Sequence, residues 1–265
     1  MIKVNGKIVE VNKFPDGTLL IKENVDYDRA LITWVFENNE ELVSLIFLTN
    51  HLRSHGVHTI GLFMPYIPNA RQDRVKNPED VFTLKYFSNV INSLGFWKVT
   101  VLDPHSSVSE ALIENIDIMS PEMFIKSAFY KVIDMCDDNT MLFYPDEGAM
   151  KRYSGMIKHK YAFGIKERDW STGKIKGLNA AGDIQDIHGK NILIVDDICS
   201  RGGTFYHSAK KLKELGANKI FLYVTHCENT IFEGELLDGD LIERVFTTDS
   251  IPRKTTHRKI EVFEI

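Results

Sequence analysis

Asp196 and Asp197 stand side by side at the end of an apolar run, Ile192 to Val195, and are followed by Ser200, Arg201, Gly202, Gly203 and Thr204. That order of residue types suits a phosphorylated sugar. Glycines admit dihedrals that let consecutive backbone N–H groups converge on a phosphate, and a helix opening at Thr204 adds the positive end of its dipole. Two carboxylates at the carboxyl end of the strand would face the same ligand and accept from its hydroxyls. The same residues also read as a buried strand with two solvated acids before an ordinary turn. The Walker A spacing G-x-x-x-x-G-K-[ST] is absent.

A second constellation, MPYIPNARQDR from Met64 to Arg74, gathers Arg71, Gln72, Asp73 and Arg74 on a proline-broken loop. Two neighbouring guanidiniums suit a polyphosphate because each donates in bidentate fashion. The alternative is a solvated loop with an internal Arg–Asp pair. His105 follows the apolar stretch that ends at Leu102. A neutral imidazole at such a strand end commonly contacts a metal or a phosphate. A histidine satisfied by the backbone is the other reading. Lys166 and Arg168 read either as working cations or as surface charges on a flap.

These residues need a frame to hold them. Short strands are expected at Lys7 to Val11, Leu19 to Lys22 and Ala30 to Val35, with breaks at Pro15-Asp16-Gly17 and Asp26-Tyr27-Asp28. Helical spacing covers Asn39 to His55 and Val81 to Leu94, each followed by a glycine, and strands are expected at Thr59 to Phe63 and Lys98 to Leu102. The alternation implies a parallel sheet with helices on both faces. It restarts near residue 120 with a helix from Pro121 to Ile133, strands at Met141 to Tyr144, Tyr161 to Ile165, Asn191 to Val195 and Lys219 to Thr225, and a helix from Thr204 to Leu215. The boundary is therefore placed there, giving domains 1–119 and 120–265. Arg168 to Asp183 offers little that could be buried and is expected to be a mobile flap.

Composition narrows the class. With 265 residues, 43% of them hydrophobic and 26% charged, the chain can bury the core of a globular protein. A net charge of −5 argues against a nucleic-acid partner. The sequence holds no apolar run of about 18 residues and no signal-peptide pattern, so no membrane association and a cytoplasmic location are expected. Cys136, Cys199 and Cys227 are odd in number and lack metal spacing, which speaks against disulfides and zinc. Cys199 reads as a small packing residue.

The ILIVDDICSRGGT stretch resembles the phosphoribosyl-diphosphate motif of the type I phosphoribosyltransferase fold, and PYIPNARQDR resembles a signature of the ribose-phosphate diphosphokinases. Further segments of that family follow in order. Phe14-Pro15-Asp16-Gly17 is similar to its F-x-D-G-E segment, Val101 to His105 to V-D-L-H, Tyr144 to Arg152 to S-P-D-x-G-x-x-K-R, and Ile165 to Arg168 to the start of its catalytic loop. Tyr223 to His226 and Thr248 to Pro252 resemble its C-terminal strand ends.

The resemblance implies an α/β protein of two tandem type I phosphoribosyltransferase-like domains, the first binding ATP and the second a phosphoribosyl group. It implies transfer of the β,γ-diphosphate of Mg-ATP to the anomeric hydroxyl of ribose 5-phosphate, releasing AMP. Phe14, Asp16, Arg71, Gln72, Asp73 and His105 would bind ATP, with Phe14 and Asp16 reaching the adenine of a neighbouring subunit. His105 and Asp146 would contact Mg²⁺, and Lys166 and Arg168 would stabilise the transferring group. Asp196 and Asp197 would take the ribose hydroxyls, and Ser200, Arg201, Gly202, Gly203 and Thr204 the 5′-phosphate. The family also implies a homo-oligomer, a dimer or hexamer.

Departures qualify the match. The chain resembles a trimmed and divergent member, with thirteen residues before Phe14 and a short stretch after Ile251-Pro252. Thr18 stands where Glu is expected, and Asn69 where Tyr is usual. Arg201 replaces a small hydroxyl residue, and an added guanidinium at a phosphate cradle favours a more negative acceptor such as ADP-ribose, unless Arg201 points to solvent or pairs with an acid. A phosphoribosyltransferase would need no ATP site, so Arg71 to Arg74 and His105 speak against it. An inactive regulatory homologue would lose the cations at Lys166 and Arg168.

Overall fold

A computed structural model describes residues 1–136, 138–168 and 175–265, with 166–168 and 175–180 described by backbone alone. The chain forms two compact units, Met1–Ser120 with Ser250–Pro252 and Pro121–Asp249 with Arg253–Ile265.

In the first unit β1 (Ile2–Val4) turns through Asn5 and Gly6, both at positive φ, into β2 (Lys7–Ile8). Asn-Gly is the pair that such a two-residue hairpin demands. The expected strand from Lys7 to Val11 is thereby divided, and β3 (Val11–Lys13) pairs instead with β4 (Leu19–Ile21) in a separate hairpin. Then follow β5 (Arg29–Trp34), α1 (Glu40–Ser54), β6 (Thr59–Phe63), α2 (Thr83–Ser93), β7 (Lys98–Leu102), α3 (Val108–Leu112) and β8 (Ile116–Met119).

The sheet runs β2-β1-β5-β6-β7-β8, parallel from β5 onward. Because β5 to β8 are neighbours in chain order, right-handed crossovers return each helix to the same side. Leu45, Leu48 and Leu52 of α1 and Leu84, Phe87 and Ile91 of α2 accordingly share one core with Ile32, Trp34, Ile60, Leu62, Val99 and Val101. On the opposite side Leu31 is 48% exposed and Trp97 60%. The indole lies over Gly61, where an added Cβ would meet its Nε1 at 3.1 Å. Helices on both faces, expected from the alternation alone, are thus not found in this unit.

The second unit comprises α4 (Glu122–Cys136), β9 (Thr140–Tyr144), α5 (Glu147–Tyr153), β10 (Tyr161–Arg168), β11 (Ile175–Gly182), β12 (Asn191–Cys199), α6 (Gly203–Glu214), β13 (Ile220–Cys227), β14 (Arg244–Thr248) and β15 (Ile260–Phe263). Its sheet runs β11-β10-β9-β12-β13-β14-β15, all parallel except β11 on β10. Every residue of β9 and β13 is buried, the mark of strands covered on both faces. Phe205, Ala209 and Leu212 of α6 pack with Ile192, Ile194, Leu222 and Val224. Leu193, Val195, Phe221 and Tyr223 are equally buried on the side where α4 lies against β9, β12 and β13.

Of the segment read as a mobile flap, Arg168 to Asp183, residues 169–174 lie outside the described residues, and strands flank them on either side. β10 continues to Arg168, and β11 pairs with it antiparallel from Gly182 back to Ile175. Its glycines and short polar residues have backbone groups to satisfy whether or not side chains are buried, and an edge strand satisfies them. The C-terminal strand β15 is fixed to the other edge. Glu261 receives Lys131 Nζ at 2.6 Å and Arg244 Nη1 at 2.8 Å, and Phe263 stacks on Phe246 with ring centroids 6.1 Å apart. Among the described residues no helix is long and apolar enough to cross a membrane.

Candidate active site

The anion-facing residues of the first unit lie on the loops after β6 and β7, at the carboxyl edge of a parallel sheet, where ligands of α/β proteins bind. The loop after β6 reaches Asn69, whose φ of 67° is left-handed. Asn enters that region more readily than most residues, which supplies a backbone reason for Asn where the family usually has Tyr. Gln72 N then donates to Asn69 O at 3.1 Å, while Gln72 Oε1 accepts from Thr83 Oγ1 at 3.0 Å. Arg71 and Gln72 are exposed.

Asp73 ties this loop to the next one. Arg74 Nε and Nη2 donate to its two oxygens at 2.7 and 2.8 Å, and Ser106 Oγ donates to Oδ2 at 2.6 Å. The Arg74 fork, opposed by burial and reinforced by the Ser106 hydroxyl, holds the carboxyl well below the usual carboxylate range. Both guanidiniums expected for a polyphosphate are at the surface, with that of Arg74 also engaged by its neighbour. Ser106 is the residue that sequence reasoning missed, although it lies beside His105. That histidine is exposed between buried Pro104 and buried Ser106, and Asp103, 1% exposed, takes a φ of 44° just before them. The turn after β7 thus presents the imidazole outward.

Phe14 and Asp16 lie on the β3–β4 turn. Phe14 is 49% exposed. Asp16 Oδ1 accepts from Thr18 N at 3.0 Å and Thr18 Oγ1 at 2.7 Å, and the hydroxyl bond, then the amide bond, lower its pKa. Thr18, in the place of the expected Glu, thus fastens the aspartate into its own turn.

In the second unit β12 extends through Cys199, four residues beyond its expected end. Asp196 and Asp197 therefore lie within the strand, two residues and more before its end. Asp197, 6% exposed, has its Oδ2 3.5 Å from Arg152 Nη1 on α5. Asp196 is half-buried, and its Oδ1 accepts from Asp197 N at 3.0 Å.

The turn into α6 uses one of its two glycines in the left-handed region. Gly202 caps the helix with a φ of 79°, and a Cβ there would stand 2.7 Å from Leu236 Cδ2. Only glycine fits both the dihedral and the space. Gly203 and Thr204 are exposed at the first turn, and a Cβ added to Gly203 would meet nothing within 4 Å. Open space therefore faces the positive end of the helix.

The loop leans on the segment after β13. Ser200 Oγ donates to Glu228 Oε2 at 2.6 Å, Thr230 Oγ1 donates to the same oxygen at 3.2 Å, and Arg201 Nη2 donates to Glu233 Oε2 at 2.9 Å. Gly234 passes so close to Arg201 O that a Cβ would stand 1.9 Å away. Arg201 is paired with an acid, the alternative left open by its sequence. No motif flagged Glu228 or Glu233, because both come from a distant stretch brought in by the β13 crossover.

Asp146 caps α5, its Oδ1 accepting from Ala149 N at 3.0 Å. Among the described residues no three His, Cys, Asp or Glu side chains are grouped so as to hold a metal. Lys166 and Arg168 are placed on β10 by their backbone, and their side chains lie outside the described residues.

Comparison with known proteins agrees with this arrangement. Residues 2–95 match the N-terminal domain of ribose phosphate pyrophosphokinase, and residues 173–265 match the phosphoribosyl synthetase-associated domain. The ribose-phosphate pyrophosphokinase of Aeropyrum pernix is 28% identical over 251 residues, 91% of this chain and 79% of the relative. That of Campylobacter jejuni is 27% identical over 269 residues, 96% of this chain and 83% of the relative. The crystal structure of phosphoribosylpyrophosphate synthetase from Mycobacterium smegmatis has the same fold, with a TM-score of 0.78 at 18% identity over 97% of this chain and 86% of that one. The two matched domains, in this order on one chain, place the protein in the ribose-phosphate pyrophosphokinase family, to which it belongs.

Proposed function

We propose that this chain transfers the β,γ-diphosphate of ATP to the anomeric hydroxyl of ribose 5-phosphate and releases AMP. One observation carries the acceptor side: β12, which bears Asp196 and ends at Cys199, runs through the Ser200–Thr204 turn into α6, with Gly202 left-handed and open space over Gly203. Backbone N–H groups of that turn and the helix dipole receive the 5′-phosphate, and Asp196 accepts from the ribose hydroxyls. Asp197, paired with Arg152, braces the strand end.

On the nucleotide side, Arg71, Gln72 and the outward imidazole of His105 bind the ATP phosphates, Asp73 fastens their two loops together, and Phe14 and Asp16 form the adenine-binding turn. Mg²⁺ supplies charge neutralisation at the transferring phosphates. His105 and Asp146 would hold the Mg²⁺ that accompanies ATP. Lys166 and Arg168 are assigned to the developing charge on the transferring group. The first unit is read as the ATP-binding half, the second as the phosphoribosyl-binding half, and the working form as a homo-oligomer.

Arg201 bears on the acceptor. Its charge is answered within the protein by Glu233, so the loop does not require an anion larger than a monoester. The two side chains are 72% and 56% exposed, and pairs that exposed exchange readily. Incubation with Mg-ATP and either ribose 5-phosphate or ADP-ribose, followed by AMP release, tests the reading. Turnover of ribose 5-phosphate is expected; turnover of ADP-ribose alone would replace the acceptor, and no AMP with either would remove the activity.

A further inference from the structure

Cys199, read from the sequence as a small packing residue, lies beside a second cysteine. Cys199 ends β12, Cys227 ends β13, and the two are register partners across the parallel ladder. Both belong to the core cluster on the α6 side of the sheet, so their side chains share one face. They are free thiols, 0% and 2% exposed. Register partners on adjacent strands have Cα atoms about 4.8 Å apart, inside the roughly 4.4–6.8 Å that a disulfide spans.

A third residue makes the pair more than two small core side chains. Arg253 interacts with Cys227, and its Nε and Nη2 are buried without a hydrogen-bond partner among the described residues. Buried guanidinium donors seek an anion, and the sulfur beside them can become one. The hydrogen bond from Cys199 and the adjacent Arg253 charge outweigh burial and move the Cys227 thiol down, while that same bond and burial move Cys199 up. Cys227 is then the nucleophile and Cys199 the proton-bearing partner.

The position gives the pair a lever. Cys199 directly precedes Ser200, Cys227 directly precedes Glu228, Glu228 N donates to Cys199 O at 2.8 Å, and Ser200 Oγ donates back to the Glu228 carboxylate. A bond between the sulfurs, about 2.05 Å long, draws the two side chains together directly beside the residues that carry this exchange.

We propose that Cys199 and Cys227 are a hydroperoxide-sensitive dithiol whose closure to a disulfide displaces the phosphate-binding turn from Ser200 to Thr204. The Cys227 thiolate attacks one peroxide oxygen, the O–O bond breaks, and the other oxygen leaves as hydroxide, giving a sulfenic acid. Cys199 sulfur then attacks the Cys227 sulfur, the S–O bond breaks, and the hydroxyl departs as water with the Cys199 proton. Two thiols lose two electrons and two protons, and one hydrogen peroxide becomes two waters.

The test uses the whole chain, treated with hydrogen peroxide, alkylated and digested, with amide hydrogen exchange followed at residues 200–204. A peptide linking Cys199 to Cys227, alkylated Cys136, and severalfold faster exchange in the turn that dithiothreitol reverses are expected. In Cys199→Ser the sulfenic acid at Cys227 has no partner thiol and is captured by dimedone. Thiols that stay reduced until the protein unfolds would overturn the site, as would a link to Cys136. A link that leaves exchange at 200–204 unchanged would overturn its action on the turn.

Discussion

Asp73 is where single atoms decide most in the first unit. Its folded-state pKa is depressed by Arg74 and Ser106, so the group adds stability in full above its unfolded value, about 3.9. That contribution fades as pH falls through the acid range toward the folded value. Asp73→Asn is therefore expected to reduce stability at neutral pH and to flatten the acid limb of a denaturation series measured between neutrality and strong acid. At Gly202, a φ of 79° and the nearby Leu236 make Gly202→Ala costly, by about 1–3 kcal/mol from the dihedral alone. A urea titration reads it. The aspartate pair separates roles: Asp196→Asn should raise the acceptor KM at least tenfold with little change in melting temperature, whereas Asp197→Asn should lower the melting temperature by removing the partner of Arg152. Equal effects in both variants would reject that division. The sequence revealed that these acids matter because apolar run, carboxylates and glycines adjoin in the chain. It concealed that Asp197 meets Arg152, because that partner comes from α5 and not from residues 192–199 themselves.

Elements were legible where local period and punctuation agree. α1, α2 and α6 each fall within about two residues of their expected bounds, as apolar spacing followed by a glycine would place them. The face each helix covers was not legible, since it follows from strand order: consecutive in the first unit, reversing at β9 and β12 in the second. Nor was the β10–β11 pairing, because β11 lies in a stretch of glycine and polar residues that carries no apolar strand pattern. The backbone of Lys166 is paired across this hairpin with Leu178, which fixes its register along the strand. Lys166→Ala is expected to lower kcat on the order of 10²-fold, the scale of losing a transition-state donor, while KM changes little. Equal loss in both, or none, would count against that assignment.

Each unit carries a core of its own, and only the first of these contains buried Trp34. Leu48→Ala should therefore destabilise the Trp34-reported transition by about 2–5 kcal/mol, and by more than Leu212→Ala does. At the same scale, chelation of divalent cations should abolish AMP release, with Mg²⁺ restoring it. The seam of β15 has an effect on biogenesis. Phe263 caps the Phe246 ring, and Glu261 collects one lysine and one arginine side chain already present upstream. A nascent chain still lacking those residues leaves an aromatic edge of its second sheet uncovered, so translation ahead of that strand is the interval in which a chaperone would find this protein most sticky.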